Sequence, residues 1–111
     1  MPLTREFKEC VVEIAHKDPE FRRGLLRSAV ELVFEGEFVA GKFALRDYIN
    51  ATGVMDDLCK DLGKHKSSIR RMLGSGGSPT LENFVNITRV CAEKEGMKIK
   101  ICGLSEKCGG V

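Results

Sequence analysis

The sequence predicts an all-α protein of five to six helices with one short β-strand near the C-terminus. Three observations lead to this prediction. Apolar residues recur at intervals of three and four positions in successive segments, which is the spacing of a buried helix face. Residues suited to helix starts, and glycines suited to helix ends, separate those segments. Only residues 97–101 alternate strictly between apolar and polar side chains, as a half-buried strand does.

The composition predicts one globular domain. The chain has 111 residues, of which 42% are hydrophobic and 31% charged, so it is long enough to bury a core of its own. It lacks the run of about 18 apolar residues that a membrane helix needs. Arg5, Glu6 and Lys8 stand where a secretory signal would be apolar. We therefore expect a cytoplasmic protein that does not contact a membrane.

The first two helices are predicted from apolar spacing and from one helix start. Residues 4–15 place Phe7, Cys10, Val11 and Ile14 on one side of a short helix. Asp18 and Pro19 then start a second helix, because Asp accepts free backbone N–H groups and Pro lacks the donor that would go unpaired. This helix runs towards Glu35 and stops at Gly36. Its predicted buried face consists of Phe21, Leu25, Ala29, Val30, Leu32 and Val33.

The middle of the chain predicts three further helices. One runs from Phe38 to about Ala51 and is broken by Gly53, although Gly41 weakens its start. Residues 55–62 form a short helix closed by Gly63, and residues 67–73 form another. Residues 74–78 are rich in glycine and serine, which predicts a flexible connector.

The last helix and the strand complete the predicted fold. Ser78 or Thr80, with Pro79 between them, opens the helix and Gly96 ends it. Its predicted buried face consists of Leu81, Phe84, Val85, Thr88, Cys91 and Ala92. A single strand at residues 97–101 leaves its backbone donors and acceptors unpaired. It therefore predicts pairing with a second copy across a two-fold axis, or with a partner protein by strand addition.

Positive charge is concentrated in one short segment. Residues 1–57 carry eight basic and eleven acidic side chains, whereas residues 58–73 carry five basic side chains and one acidic. The two helices of this segment, joined by a glycine turn, have the pattern of a helix-turn-helix. Leu58, Leu62, Ile69 and Met72 form the predicted inner seam, with the small Cys59 beside it. The opposite, solvent face of the second helix carries Lys66, Ser67, Arg70 and Arg71, and its start carries Lys64 and His65.

Such a face suits double-stranded DNA. Lysines and arginines neutralise phosphates, short hydroxyl side chains permit close approach, and an arginine can bind a guanine edge through two hydrogen bonds. Backbone N–H groups at the start of the second helix can also meet a phosphate. A merely solvated basic face is the alternative explanation.

Residues 54–101 resemble the helix-turn-helix transcriptional regulators of the phage-repressor type (XRE-like). Residues 58–63 resemble the first motif helix and residues 67–73 the recognition helix, while residues 77–81 with the following helix and basic strand are similar to the antitoxin-like branch. The resemblance implies a lambda-repressor-like fold and DNA binding as a homodimer. It implies base-reading roles for Lys66, Ser67 and Arg70, and backbone contacts from Lys64, His65, Ser68 and Arg71. Many members also neutralise a small ribonuclease-type toxin.

The chain is thus predicted to comprise a helical extension over residues 1–53, packed on the same domain as a helix-turn-helix core over residues 54–102, and a flexible tail over residues 103–111. The predicted function is transcription regulation by a dimer on an operator. A toxin-neutralising interaction module with secondary DNA binding stays open as the alternative. No catalytic grouping, cofactor motif or metal-ligand spacing is present, and the five cysteines are predicted to be reduced.

Overall fold

The computed structural model describes residues 13–14 and 17–100, which include five complete α-helices. They are α1 (Pro19–Phe34), α2 (Phe38–Thr52), α3 (Met55–Leu62), α4 (Lys66–Leu73) and α5 (Leu81–Lys94). The predicted all-α class is confirmed. The predicted tail and all but residues 13–14 of the predicted first helix lie outside the described residues.

Residues 97–100 belong to no strand or helix in this structure. The predicted strand at residues 97–101 is therefore not observed in its described part. The physical reason is that a lone strand has no neighbour to pair its backbone N–H and C=O groups. Residue 101 lies outside the described range.

Two helix starts form as the sequence predicts. The Asp18 carboxylate accepts hydrogen bonds from the backbone N–H groups of Glu20 (3.0 Å) and Phe21 (3.3 Å), and Pro19 occupies the first helical position. At the start of α5, the Thr80 hydroxyl accepts a hydrogen bond from the N–H of Asn83 at 3.1 Å. Each cap pairs donors that have no partner inside the helix, an effect of about 1 kcal/mol.

Gly41 sets the distance between α1 and α2. A Cβ atom at this position would lie 2.5 Å from Cγ2 of Val33 and 3.0 Å from the main-chain oxygen of Ala29. Only a residue without a side chain allows the two helices to approach this closely. The glycine that weakens α2 by propensity is therefore needed for packing α2 on α1.

All five helices contribute to one apolar core. Its fully buried large side chains are Leu45, Tyr48, Ile49, Leu58, Ile69, Leu73, Ile87 and Cys91. The α1–α2 hairpin and the α3–α5 segment share this core. The orientation of α4 therefore depends on residues far from it in sequence.

The predicted buried face of α5 needs a correction. Leu81 is 80% exposed and Val85 is 44% exposed, whereas Ile87 and Val90 are buried. The buried stripe is centred on Phe84, Ile87 and Cys91. Val85 lies at the edge of that stripe. Leu81 lies in the first turn of α5, before Phe84, the first residue of the helix that is buried in the core.

A buried polar cluster joins the end of α5 to α1 and α2. The Glu95 carboxylate accepts hydrogen bonds from Nε of Arg22 at 3.0 Å and from the Tyr48 hydroxyl at 2.7 Å. Nε of Arg23 donates to the main-chain oxygen of Glu95 at 3.3 Å. Burial, together with the hydrogen bond from the Tyr48 hydroxyl to Glu95, raises the pKa of Tyr48 above its usual value. Burial, with the nearby Glu95 charge, also raises the pKa of the Cys91 thiol to about 12.

Candidate nucleic-acid interface

Gly63 makes the turn between α3 and α4. Its φ of 63° and ψ of 34° are left-handed, a conformation in which a side chain is unfavourable. The N–H of the next residue, Lys64, donates to the main-chain oxygen of Cys59 at 3.2 Å. His65 is extended and directly precedes α4. Three residues thus connect two eight-residue helices, which is the helix-turn-helix spacing that the sequence predicts.

The inner side of α4 packs into the core. Ile69 and Leu73, one turn apart, are buried beside the buried Leu58 of α3. Leu62, Cys59 and Met72 are half-buried against the same core. The predicted seam therefore forms, with Leu73 buried more deeply than the predicted Met72. This packing fixes which side of α4 meets solvent.

Three of the seven predicted DNA-binding residues, Ser67, Arg70 and Arg71, lie on the outer side of α4. At 100° per residue, Ser67 and Arg71 are opposite the buried Ile69, and Arg70 is beside them. Five of the seven candidates are exposed, namely His65, Lys66, Ser67, Arg70 and Arg71. Lys64 and Ser68 are half-buried. None of the seven is sealed beneath neighbouring side chains.

The charge of this face is largely uncompensated. Nζ of Lys66 lies 3.6 Å from Oδ1 of Asp56, but both side chains are well exposed, so the pair contributes at most about 1 kcal/mol. Within residues 13–14 and 17–100, no ion pair involves Lys64, Arg70 or Arg71. Three cations near the start and along the outside of α4 are therefore available to an anionic partner.

The glycine-rich segment after α4 is held by a side chain that no motif in the sequence indicates. Nζ of Lys42 donates hydrogen bonds to the main-chain oxygens of Gly74 (2.8 Å) and Gly77 (2.7 Å). The N–H of Gly77 donates to the oxygen of Gly74 at 3.2 Å. A Cβ atom on Gly77 would clash with the main-chain carbonyl of Arg71. The predicted flexible connector is therefore a bonded turn packed against the end of α4.

Lys42 could not be found by its spacing. It lies 32 and 35 residues before its two acceptors. An isolated lysine on an amphipathic helix is usually a surface residue, so its sequence position predicts no such contact. The only local signal is the glycine run itself. Close approach to a neighbouring backbone is one reason for such a run.

No group of three or more His, Cys, Asp or Glu side chains in the described residues could hold a metal ion. The helices of residues 19–94 are all too short or too polar to cross a bilayer.

Neither a scan against protein-family models nor searches of curated proteins and of solved structures found a match to this chain.

Proposed function

We propose that this protein binds double-stranded DNA sequence-specifically and regulates transcription by occupying an operator. The observation that carries the proposal is the outer face of α4. It is exposed and cationic, and it stands on a helix whose inner side is locked by Ile69 and Leu73. A rigid helix with a free basic face suits the major groove, which admits one α-helix.

Each candidate residue has a role that follows from its chemistry and its position. Arg70 can form two hydrogen bonds to a guanine edge, while Lys66 and Ser67 approach neighbouring bases from the first turn of α4. Lys64 and His65 precede α4, where they can contact a phosphate together with the uncapped N–H groups of the first turn. Ser68 and Arg71 lie on α4 itself and contact the DNA backbone.

We further propose that the active form is a homodimer. Two copies related by a two-fold axis present two recognition helices about 34 Å apart, on successive major grooves of a palindromic operator. The C-terminal strand predicted at residues 97–101 is part of this proposal as an element of assembly. A lambda-repressor-like arrangement of the helices is likewise proposed from the sequence resemblance.

Selection of bound sequences from a random DNA pool tests this function. The wild-type protein is expected to enrich one short motif. Arg70→Ala combined with Arg71→Ala is expected to lose that enrichment. The matched control, Arg27→Ala with Arg89→Ala, removes the same charge from exposed positions outside α4 and is expected to enrich the wild-type motif. Enrichment of no motif by the wild type, or equal losses in both variants, would contradict the proposal.

Toxin neutralisation is a second proposal, carried only by the resemblance to the antitoxin-like branch. It predicts a short ribonuclease gene adjacent to this one. It also predicts that the purified protein inhibits the product of that gene in an RNA cleavage assay. Absence of inhibition would leave DNA binding as the whole function.

A further inference from the structure

The turn between α1 and α2 carries an exposed apolar surface. Phe34 is 73% exposed, Phe38 is 66% exposed and Val39 is 61% exposed. Two phenylalanines and a valine thus stand in solvent within six residues, at one end of the α1–α2 hairpin. We call these three residues the aromatic tip. Such a group is typical of a surface that another molecule covers.

The aromatic tip is surrounded by negative charge. Glu31, Glu35 and Glu37 are all exposed and lie within three residues of Phe34. Within the described residues, none of these carboxylates forms an ion pair. The nearest lysine along α2, Lys42, already donates to the loop after α4. A partner of this surface should therefore combine apolar side chains with positive charge.

The chain itself contains a segment of that chemistry. Lys98, Ile99 and Lys100 are exposed, and the segment belongs to no helix or strand. It carries two positive charges and no acidic residue between Met97 and Ile101. Long lysine stems can place their ammonium groups on the surrounding carboxylates while Ile99 contacts the phenylalanines. By contrast, two tips that faced one another would bring like charges together, because each tip is surrounded by three glutamates.

The segment does not cover the tip of its own chain. The N–H of Met97 donates to the main-chain oxygen of Ala92 in α5 at 2.8 Å. The same end of α5 contacts Arg23 near the start of α1, whereas Phe34 lies eleven residues further along that helix, about 16 Å along its axis. Phe34 and Ile99 are both exposed in the single chain. This separation favours a second copy as the source of the occupant.

We propose that residues 98–100 of one copy dock on the aromatic tip of a second copy, and that the exchange is reciprocal. Each copy then gives one segment and receives one, so the contact closes as a two-fold dimer instead of growing into a filament. This proposal deepens the homodimer of the proposed function and rests on it, but it does not require DNA binding.

The molar mass of the full chain in solution, measured by sedimentation without DNA, tests the proposal. The wild type is expected to be dimeric. Phe34→Ser with Phe38→Ser should raise the dimer Kd about tenfold or more, because it removes the apolar contact. Leu81→Ser with Val85→Ser is the control, since it removes another exposed apolar pair elsewhere, and it should leave the Kd unchanged.

Charge exchange gives an independent readout. Glu35→Lys with Glu37→Lys should weaken the dimer about tenfold, and so should Lys98→Glu with Lys100→Glu. The two pairs combined restore opposite charges and should recover most of the wild-type Kd. Any of three results would overturn the proposal. The wild type could be monomeric at a concentration of about 100 μM. The dimer Kd could be unchanged by the tip substitutions, or the combined variant could fail to recover it.

Failure of this dimer is distinguishable from failure of DNA binding. A monomer that still binds a single half-site through Arg70 would contradict the docking proposal and the homodimer, but not DNA binding by α4. A dimer that obeys the charge exchange but binds no DNA would contradict the proposed function alone. Binding of an added basic peptide to the tip of a monomeric wild type would also overturn the reciprocal exchange.

Discussion

Nζ of Lys42 lies 2.7 Å from the main-chain oxygen of Gly77, so a side chain of α2 holds the segment that follows α4. The same ammonium bonds the oxygen of Gly74 at 2.8 Å. At the other end of α4, the left-handed Gly63 fixes the turn from α3. The candidate recognition helix is therefore held at its start, along its buried side and at its end. This restraint matters because base readout requires donors within a few tenths of an ångström of their acceptors.

Replacing Lys42 by Met should loosen the end of α4. The change removes two charge-assisted hydrogen bonds, so we expect a loss of about 1–3 kcal/mol in the free energy of unfolding. DNA affinity should fall as well, although Lys42 is not one of the proposed DNA contacts. Urea unfolding and fluorescence anisotropy measure the two effects. Lys60→Met, on the exposed side of α3, is the control, and equal stability losses in both variants would argue against the role of Lys42.

Gly77 and Gly76 form a matched pair for the packing of the loop. Gly77→Ala places a methyl group against the Arg71 carbonyl, and we expect it to destabilise the protein by about 1–3 kcal/mol. Gly76→Ala meets nothing within 4 Å and should change stability by less than about 0.5 kcal/mol. Thermal unfolding of the two variants gives the comparison. Indistinguishable midpoints would show that the loop does not pack against α4.

Stability should fall in alkaline solution. Above pH 9.0 the unfolded chain loses the Cys91 proton while the folded protein keeps it up to about 12, so unfolding releases a proton. The raised pKa of Tyr48 adds to this effect above pH 10.0. Each group contributes at most about 1.4 kcal/mol per pH unit. Below pH 9 both groups are protonated in both states, and neither contributes.

Two variants separate these contributions. Cys91→Ala should remove the decline in the free energy of unfolding between pH 9 and 10. Tyr48→Phe should reduce the decline above pH 10 and, by removing a donor to the buried Glu95, should also destabilise the protein by about 1–3 kcal/mol at neutral pH. Unfolding curves at several pH values test both expectations. An unchanged alkaline slope in both variants would refute this assignment.

Arg70 and Lys64 should differ in how they affect DNA binding. Arg70→Ala is expected to lose about 1–3 kcal/mol at one base position and to relax specificity there. Lys64→Ala is expected to weaken binding to all sequences alike and to lower the dependence of affinity on salt. Affinities for the selected site, its single-base variants and random DNA at several salt concentrations distinguish the two. The same loss on every sequence in both variants would refute this division of roles.

Much of the fold follows from local signals in the sequence. Asp18 with Pro19, Gly53 and Gly63 mark helix boundaries because each acts on the backbone within one turn. The bounds of α3 match the prediction, and those of α4 differ by one residue. The same local rules identify Ile69 as buried and Arg70 as exposed.

The features that the sequence did not predict depend on contacts between distant residues. Glu95 follows the last helix, where the sequence predicts an exposed carboxylate. In the structure it accepts a hydrogen bond from Arg22, 73 residues earlier. Lys42 and the exposure of Phe38 likewise depend on how α1 and α2 meet the rest of the fold. The periodicity of apolar residues along one helix does not indicate which of its side chains contact other helices. The packing between helices determines those contacts.

DNA binding by the outer face of α4 can be mapped residue by residue in a titration followed by amide NMR. A duplex containing the selected motif is added to the isotopically labelled full chain, and the resonance shifts are mapped on the sequence. We predict that the largest shifts fall on residues 64–71 and that residues 31–39 are unaffected at a fixed oligomeric state. Shifts confined to other surfaces, or none at all at saturating duplex, would contradict DNA binding by this face.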